Sequence, residues 1–258
     1  MRGGIVPWLL GGPSAGAASV SERRGLFVIA IDGPAASGKS STAQWVAQRL
    51  GFRHVDSGAL YRAATAAQLR RGIPEDSWTE DQVCEAARST RLMPRGTSFT
   101  PVIEGSVVDD ELRGGEVTRL VSRVARMPRV REWVNARVRE AAQHHDVVVD
   151  GRDMGTAVFP DATLKVFLVA DPWERARRRL VQQLGRMPSD IEIAEETDRL
   201  VQRDARDATQ TAQAKDAVLI DTTYLTQEEQ VERIVALATA VTQRENTTSD
   251  VDDGLERG

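Results

Sequence analysis

Residues 31–42 read IDGPAASGKSST, which sets Gly33, Gly38, Lys39 and Ser40 at the spacing G-x-x-x-x-G-K-[ST]. These residue types at this spacing suit the binding of a phosphate chain. Glycines let the backbone turn tightly, so that successive N–H groups point into one concavity. The concavity opens on a helix N-terminus, which itself favours an anion. Lys39 adds a point charge for the outer phosphates, and the Ser40 hydroxyl can ligate Mg²⁺. The chain carries its own control. GGPSAGAAS (Gly11 to Ser19) is as rich in small residues, but it has no lysine, follows no clear strand and reads as a flexible tail.

Four further charged constellations stand near the ends of apolar runs. VDSGALYR brings Asp56, Ser57, Tyr61 and Arg62 to a strand-to-helix junction; it reads equally as a capped helix with a surface arginine. VVVDGRDMGTAVFP ends a valine-rich strand in Asp150, Arg152 and Asp153. So dense a charge cluster at the carboxyl end of a buried strand points to function. ERARRRLVQQ holds Arg175, Arg177, Arg178 and Arg179, and QRDARD holds Arg203, Asp204, Arg206 and Asp207. Such helical charge runs fit a solvated face laced with i,i+4 pairs. They also fit a lid that neutralises a triphosphate, and both readings stand. His54, His144 and His145 lack metal-ligand spacing and read as structural.

The elements that must position these groups alternate along the chain. FVIAID, FRHVDS, DVVVDG, LKVFLVA and AVLIDT read as five buried strands. Helical patterns lie near 40–50, 58–72, 114–143, 172–185, 189–206 and 226–243, the first closed by Gly51. Strands alternating with helices imply an α/β fold with a parallel, doubly wound sheet and ligands at the strands' carboxyl ends. TPVIEGSVVDDELR (Thr100 to Arg113) reads as a small hairpin within an insertion. The charged helix pair broken at Pro188 and Ser189 reads as a mobile lid. In PRVREWVNARVREAAQ, Trp133, Val134 and Val138 recur at helical spacing and read as core.

Bulk properties narrow the class. A chain of 258 residues with net charge -4 is long enough for one large domain and does not ask for a nucleic-acid or membrane partner. No apolar run reaches transmembrane length. Pro7 breaks the short apolar run near the start, which argues against an export signal. One cysteine, Cys84, excludes an internal disulfide and fits a reducing compartment, so a cytoplasmic location is expected. Residues 1–24 and 244–258 are expected to be disordered. No exposed apolar helix face stands out, and a monomer is expected.

With IDGPAASGKSS, VDSGALYR, MPRVRE, DGRDMGTAVFPDA, RD..RD and VLIDTT.LT together, the chain resembles bacterial cytidylate kinases over about residues 26–240. The resemblance implies a nucleoside monophosphate kinase fold: a P-loop core with a five-stranded parallel sheet (25–62, 114–175 and 207–243), an NMP-binding insertion over about 63–113 and a helical lid over about 176–206. It implies phosphoryl transfer from ATP to CMP or dCMP with Mg²⁺. Gly33, Pro34, Ala35, Ala36, Ser37, Gly38, Lys39, Ser40 and Ser41 would form the ATP phosphate loop. Ser57 and Arg62 match acceptor-site residues, and Arg152 matches a second phosphate arginine. Ser122, Arg131 and Asp153 match the cytosine readers, and Arg203 and Asp207 match the lid base, the aspartate on the ribose. Lys39, Arg62, Arg152 and Arg203 are then the expected catalytic set, with Ser40 on Mg²⁺ and Asp150 near it through water.

The chain departs from the family pattern at one place. Gln210 stands where a phosphate-clamp arginine is expected, and the connector that follows is short. Rival readings are a kinase of the same fold for UMP, AMP or shikimate, and a nucleotide-dependent regulator. The trio Ser122, Arg131 and Asp153 argues against the first. The lack of an [NT]-K-x-D motif argues against a GTPase switch.

Overall fold

The computed structural model describes residues 26–255, with side chains described through Arg244. The expected disordered segment 1–24 lies outside the described residues, as do 256–258. The fold starts with β1 (Val28–Asp32), the loop at 33–38 and α1 (Lys39–Leu50). Gly51, in left-handed conformation at φ 71, ends that helix. β2 (Arg53–Asp56) feeds α2 (Ser57–Arg70), whose first turn is capped by the Asp56 carboxylate accepting the Ala59 N–H at 3.0 Å. Then follow α3 (Glu80–Ala87), β3 (Thr90–Arg95), β4 (Ser98–Ile103), β5 (Ser106–Val107), α4 (Asp109–Leu112), α5 (Gly115–Val124) and α6 (Pro128–Ala142). The chain continues through β6 (Val147–Gly151), β7 (Leu164–Val169), α7 (Pro172–Leu184), α8 (Asp190–Asp207), β8 (Val218–Asp221) and α9 (Gln227–Leu255).

All five expected strands are present, parallel and adjacent in the order β2-β6-β1-β7-β8. The expected five-stranded sheet needs correction, because among the described residues the sheet has eight strands. β4 pairs in parallel with β2 through His54↔Ser98 and Val55↔Phe99, and it carries β3 and β5 as antiparallel partners. The hairpin read at 100–113 is β4–β5; its companion β3 lies at the sheet edge, where Pro94 is tolerated. A second correction concerns the helix read over 114–143. It is two helices, because Pro128 opens α6 at its first turn and disfavours helical backbone at Met127. The last helix also continues past 243, through Leu255.

Each central strand buries both faces, as a parallel sheet requires. Ile29 and Ile31 pack with Val46 of α1 and Ile234 of α9. Ala30, between them, faces the opposite layer with Val55, Leu60, Val130, Val134 and Val138. β6 alternates likewise, with Val148 in the first layer and Val147 and Val149 in the second. The two layers clamp the strands, so the carboxyl ends of β1, β2 and β6 open side by side on one rim.

Candidate active site

The loop after β1 is shaped by close packing. A Cβ on Gly33 would lie 2.2 Å from the Leu168 carbonyl oxygen of β7, so only glycine fits there. Ala36 takes left-handed backbone at φ 58 and Gly38 at φ 88, which curls the loop over the start of α1. Lys39 folds back onto this curl, its Nζ donating to the Pro34 carbonyl at 2.5 Å. Burial and the neighbouring Arg152 push its pKa down to about 7, against the pull of Asp150, Asp32 and Asp204.

The end of β6 supplies a second cluster. Asp150 accepts from Ser40 Oγ at 2.6 Å and lies 2.8 Å from His54 Nε2, while its carbonyl accepts from Ser57 Oγ at 2.8 Å. His54, read as structural, is thus buried and linked to Ser40 through Asp150. Burial opposes its charged form, but the hydrogen bond and charge of Asp150 prevail and raise its pKa. Asp56 is pushed up to about 6 by burial and by the nearby Asp150.

Beyond Gly151 the chain makes one π-helical turn, Met154–Val158. Asp32, the last residue of β1, holds it: its two carboxylate oxygens accept the N–H groups of Met154 and Gly155, each at 2.8 Å. Burial raises the Asp32 pKa to about 6 even so. This anchor fixes Arg152 and Asp153 just before the turn. Asp32→Asn leaves one of the two N–H groups facing an NH₂, so a loss of roughly 1–3 kcal/mol is expected. Thermal unfolding checks this as a Tm lowered by several degrees; an unchanged Tm would remove Asp32 as the anchor.

Asp153 is ion-paired with Arg131, which also donates to Gln210 Oε1 at 3.0 Å and to the Ala125 carbonyl at 3.2 Å. Burial raises the Asp153 pKa, against the attraction of Arg131. Arg152 pairs with Asp207 at 2.9 Å. Arg203 is pushed down to about 10 by burial and then by Arg152, with Arg62 and Arg179 adding to the repulsion. The nearest carboxylates stand 3.8 Å from Arg152 Nη1 and 3.7 Å from Arg203 Nε, too far for a hydrogen bond, and both nitrogens are buried without one. Arg152 and Arg203, with these unsatisfied donors, share one cleft with Arg62 and Arg179. Arg62 donates to the Leu112 carbonyl and Thr118 Oγ1, each at 3.1 Å, and Arg179 pairs with Glu196 at 2.8 Å. The lining suits an anion.

Helices α7 and α8 rest on the phosphate loop. Asp204 of α8 accepts the Ala35 N–H at 3.1 Å and the Arg175 Nη1 at 2.6 Å, and Arg175 also donates to the Ala35 carbonyl. Leu180, Ile193 and Leu200 pack on Ala35. The arginines of α7 therefore divide. Arg175 clasps the loop, Arg178 donates to the carbonyls of Thr222 and Thr223, Arg177 pairs with Glu174, and Arg179 lines the cleft.

Comparison with known proteins bears on this geometry. Residues 29–240 match the family model described as cytidylate kinase. The chain belongs to the cytidylate kinase family. A cytidylate kinase of Geobacillus kaustophilus is 45% identical over 81% of this chain and 95% of its own length. That of Chloroherpeton thalassium is 41% identical over 83% of this chain and 94% of its own, and that of Anoxybacillus flavithermus 42% over 81% and 94%.

For a cytidylate kinase family member, the placement of the expected residues is informative. One cleft gathers Ala35, Ala36, Lys39, Ser40, Ser57, Arg62, Ser122, Arg131, Asp150, Arg152, Asp153, Arg203 and Asp207. Gly33, Pro34, Ser37, Gly38 and Ser41 shape the loop but do not line that cleft. Sequence reasoning assigned no role to Asp32, left Arg175, Arg179 and Asp204 open between a solvated face and a lid over a triphosphate, and read His54 as structural. Asp32 stood in the quoted motif as a strand end, and its role needed the π-turn to be seen. Gln210, which stands where a clamp arginine is expected, lines the same cleft, and its amide oxygen accepts from Arg131.

Proposed function

We propose that this chain transfers the γ-phosphoryl group of ATP to CMP or dCMP, giving ADP and CDP or dCDP. The observation that carries the reading is a single cleft. The phosphate cradle of Lys39 and Ser40, the Arg131–Asp153 pair and the arginines Arg62, Arg152, Arg179 and Arg203 share its walls. Phosphoryl transfer needs mainly positioning and charge neutralisation, which this lining provides.

In this reading ATP lies on the loop at 33–41, and the acceptor lies across Arg62 and Arg152. An oxygen of the CMP phosphate forms a bond to the γ-phosphorus as the bond from that phosphorus to the β–γ bridging oxygen of ATP breaks. The pair leaves with ADP, and no covalent enzyme intermediate forms. Asp153 accepts from the cytosine N4 amino group, Arg131 and Ser122 donate to O2 and N3, and Asp207 faces the ribose. Ser57 lines the acceptor side, and Arg203 neutralises transferring charge. The Ser40 hydroxyl and Asp150 carboxylate, 2.6 Å apart, make the small all-oxygen donor set that suits Mg²⁺, which keeps most of its waters. Ser40 would hold the ion, with Asp150 acting through water, and when bound it would neutralise phosphate charge.

ADP release with ATP and Mg²⁺ against CMP, dCMP, UMP, AMP, GMP and shikimate tests the reading. Turnover confined to CMP and dCMP supports it; turnover of another acceptor in place of CMP refutes it. A pH effect follows from Lys39. With a pKa of about 7 in the free protein, the amine is mostly neutral at pH 8. Phosphate at the loop favours the ammonium and raises that pKa, so ATP binding at pH 8 takes up nearly one proton. ATP affinity then falls as pH rises above about 7. Calorimetric titrations in buffers of differing ionisation enthalpy measure the uptake directly.

A further inference from the structure

One buried polar group in the cleft has no partner and no role so far. The first turns of α2 present Ser57, Gly58, Tyr61 and Arg62 to the cleft, as two pairs four residues apart on one helix face. The Tyr61 ring is 8% exposed and packs in the core layer with Leu60, Val121 and Val124. Its hydroxyl is buried and makes no hydrogen bond among the described residues. Arg131 and Asp153 lie close enough to act on its ionisation, yet both are committed elsewhere: to each other, and Arg131 also to Gln210 and Ala125.

We infer that the Tyr61 hydroxyl is a specificity contact that hydrogen-bonds the pyrimidine base of the acceptor nucleotide. The inference rests on the reading of this cleft as a CMP site. A buried hydroxyl without a partner is unfavourable in the free protein, and it is retained at little cost where the substrate completes it. Gln68 and Thr90 also carry buried atoms without partners, but neither lines the cleft. Burial pushes the Tyr61 phenol up to about 12, so it meets the base as a neutral hydroxyl. It can then donate to the lone pair of cytosine O2 that Arg131 and Ser122 leave free. Ring packing and the capped start of α2 hold it in place, so little side-chain freedom is lost on binding.

Tyr61→Phe keeps the ring and removes only the oxygen. Three quantities are read on the full chain: the Kd for CMP, the Kd for ATP, and the Tm without nucleotide. CMP binding is expected to weaken about tenfold, the worth of one hydrogen bond. ATP binding is expected to stay within about twofold, because that ligand lies on the loop at 33–41. The Tm is expected to hold or rise, because an unsatisfied buried group has been removed. A hydroxyl with a merely structural partner would lower the Tm instead, and a fall in Tm with both nucleotides weakened alike overturns the inference. CMP affinity within twofold of wild type overturns it too and leaves the reading of the cleft standing. A wild-type protein that does not bind CMP refutes that reading, and this inference with it.

Discussion

Lys39→Met is expected to reduce kcat by at least about a thousandfold while the protein stays folded. In the free protein Lys39 Nζ has few partners, the Pro34 carbonyl at 2.5 Å and Ser37 Oγ at 3.4 Å. Burial and the adjacent Arg152 disfavour its charge, which is why its pKa is pushed down to about 7. Replacing a desolvated ammonium with an unbranched apolar chain of similar length relieves that penalty. The loop keeps its shape, because Gly33 against Leu168 and the Asp204 contact to Ala35 set it without the lysine. The charge for the transferring phosphoryl group, however, is lost. Steady-state ADP release and thermal unfolding decide the matter together. A variant that keeps more than a tenth of wild-type kcat, at unchanged Tm, removes Lys39 from the mechanism.

The parts of this site that were readable in advance share a physical cause. Val147, Val148 and Val149 form a continuous apolar run because β6 is buried on both faces. The charged Asp150 at its end therefore announced a ligand-facing rim. The phosphate loop was readable because strand, glycine turn and helix follow in order. Sheet order was not readable, since it depends on which distant strands pair. β3 reads weakly because an edge strand with Pro94 and several exposed residues shows no burial pattern. Asp32 and Asp204 act on residues more than a hundred positions away, Asp32 on Met154 and Gly155 and Asp204 on Ala35. No local spacing encodes such contacts. Gln210 is the converse case. The family pattern expects an arginine there, and the path of the chain after α8 does bring Gln210 into the cleft, with its amide oxygen on Arg131.

In the proposed reading Asp153 carries the discrimination between pyrimidines, and its replacements separate recognition from charge balance. Asp153→Ala is expected to lower kcat/KM for CMP by about 10²- to 10³-fold, since a site built on buried hydrogen bonds rejects a misfit strongly. The Ala variant also strands Arg131, whose remaining partners are Gln210 and the Ala125 carbonyl, so some lost stability accompanies it. Asp153→Asn keeps the shape and sharpens the test. Arg131 takes one oxygen of Asp153. In the Asn variant the amide oxygen stays on that guanidinium, and the NH₂ turns to the base. That NH₂ opposes the N4 amino group of cytosine but can donate to the O4 of uracil. The CMP-to-UMP ratio of kcat/KM is therefore expected to fall by at least about a hundredfold, with KM for ATP moving less than about threefold, as the ATP site is separate. Competing-substrate assays with both nucleotides measure the ratio in one vessel. If the ratio is unchanged in Asp153→Asn, the carboxylate does not read N4, and the base lies elsewhere in the cleft.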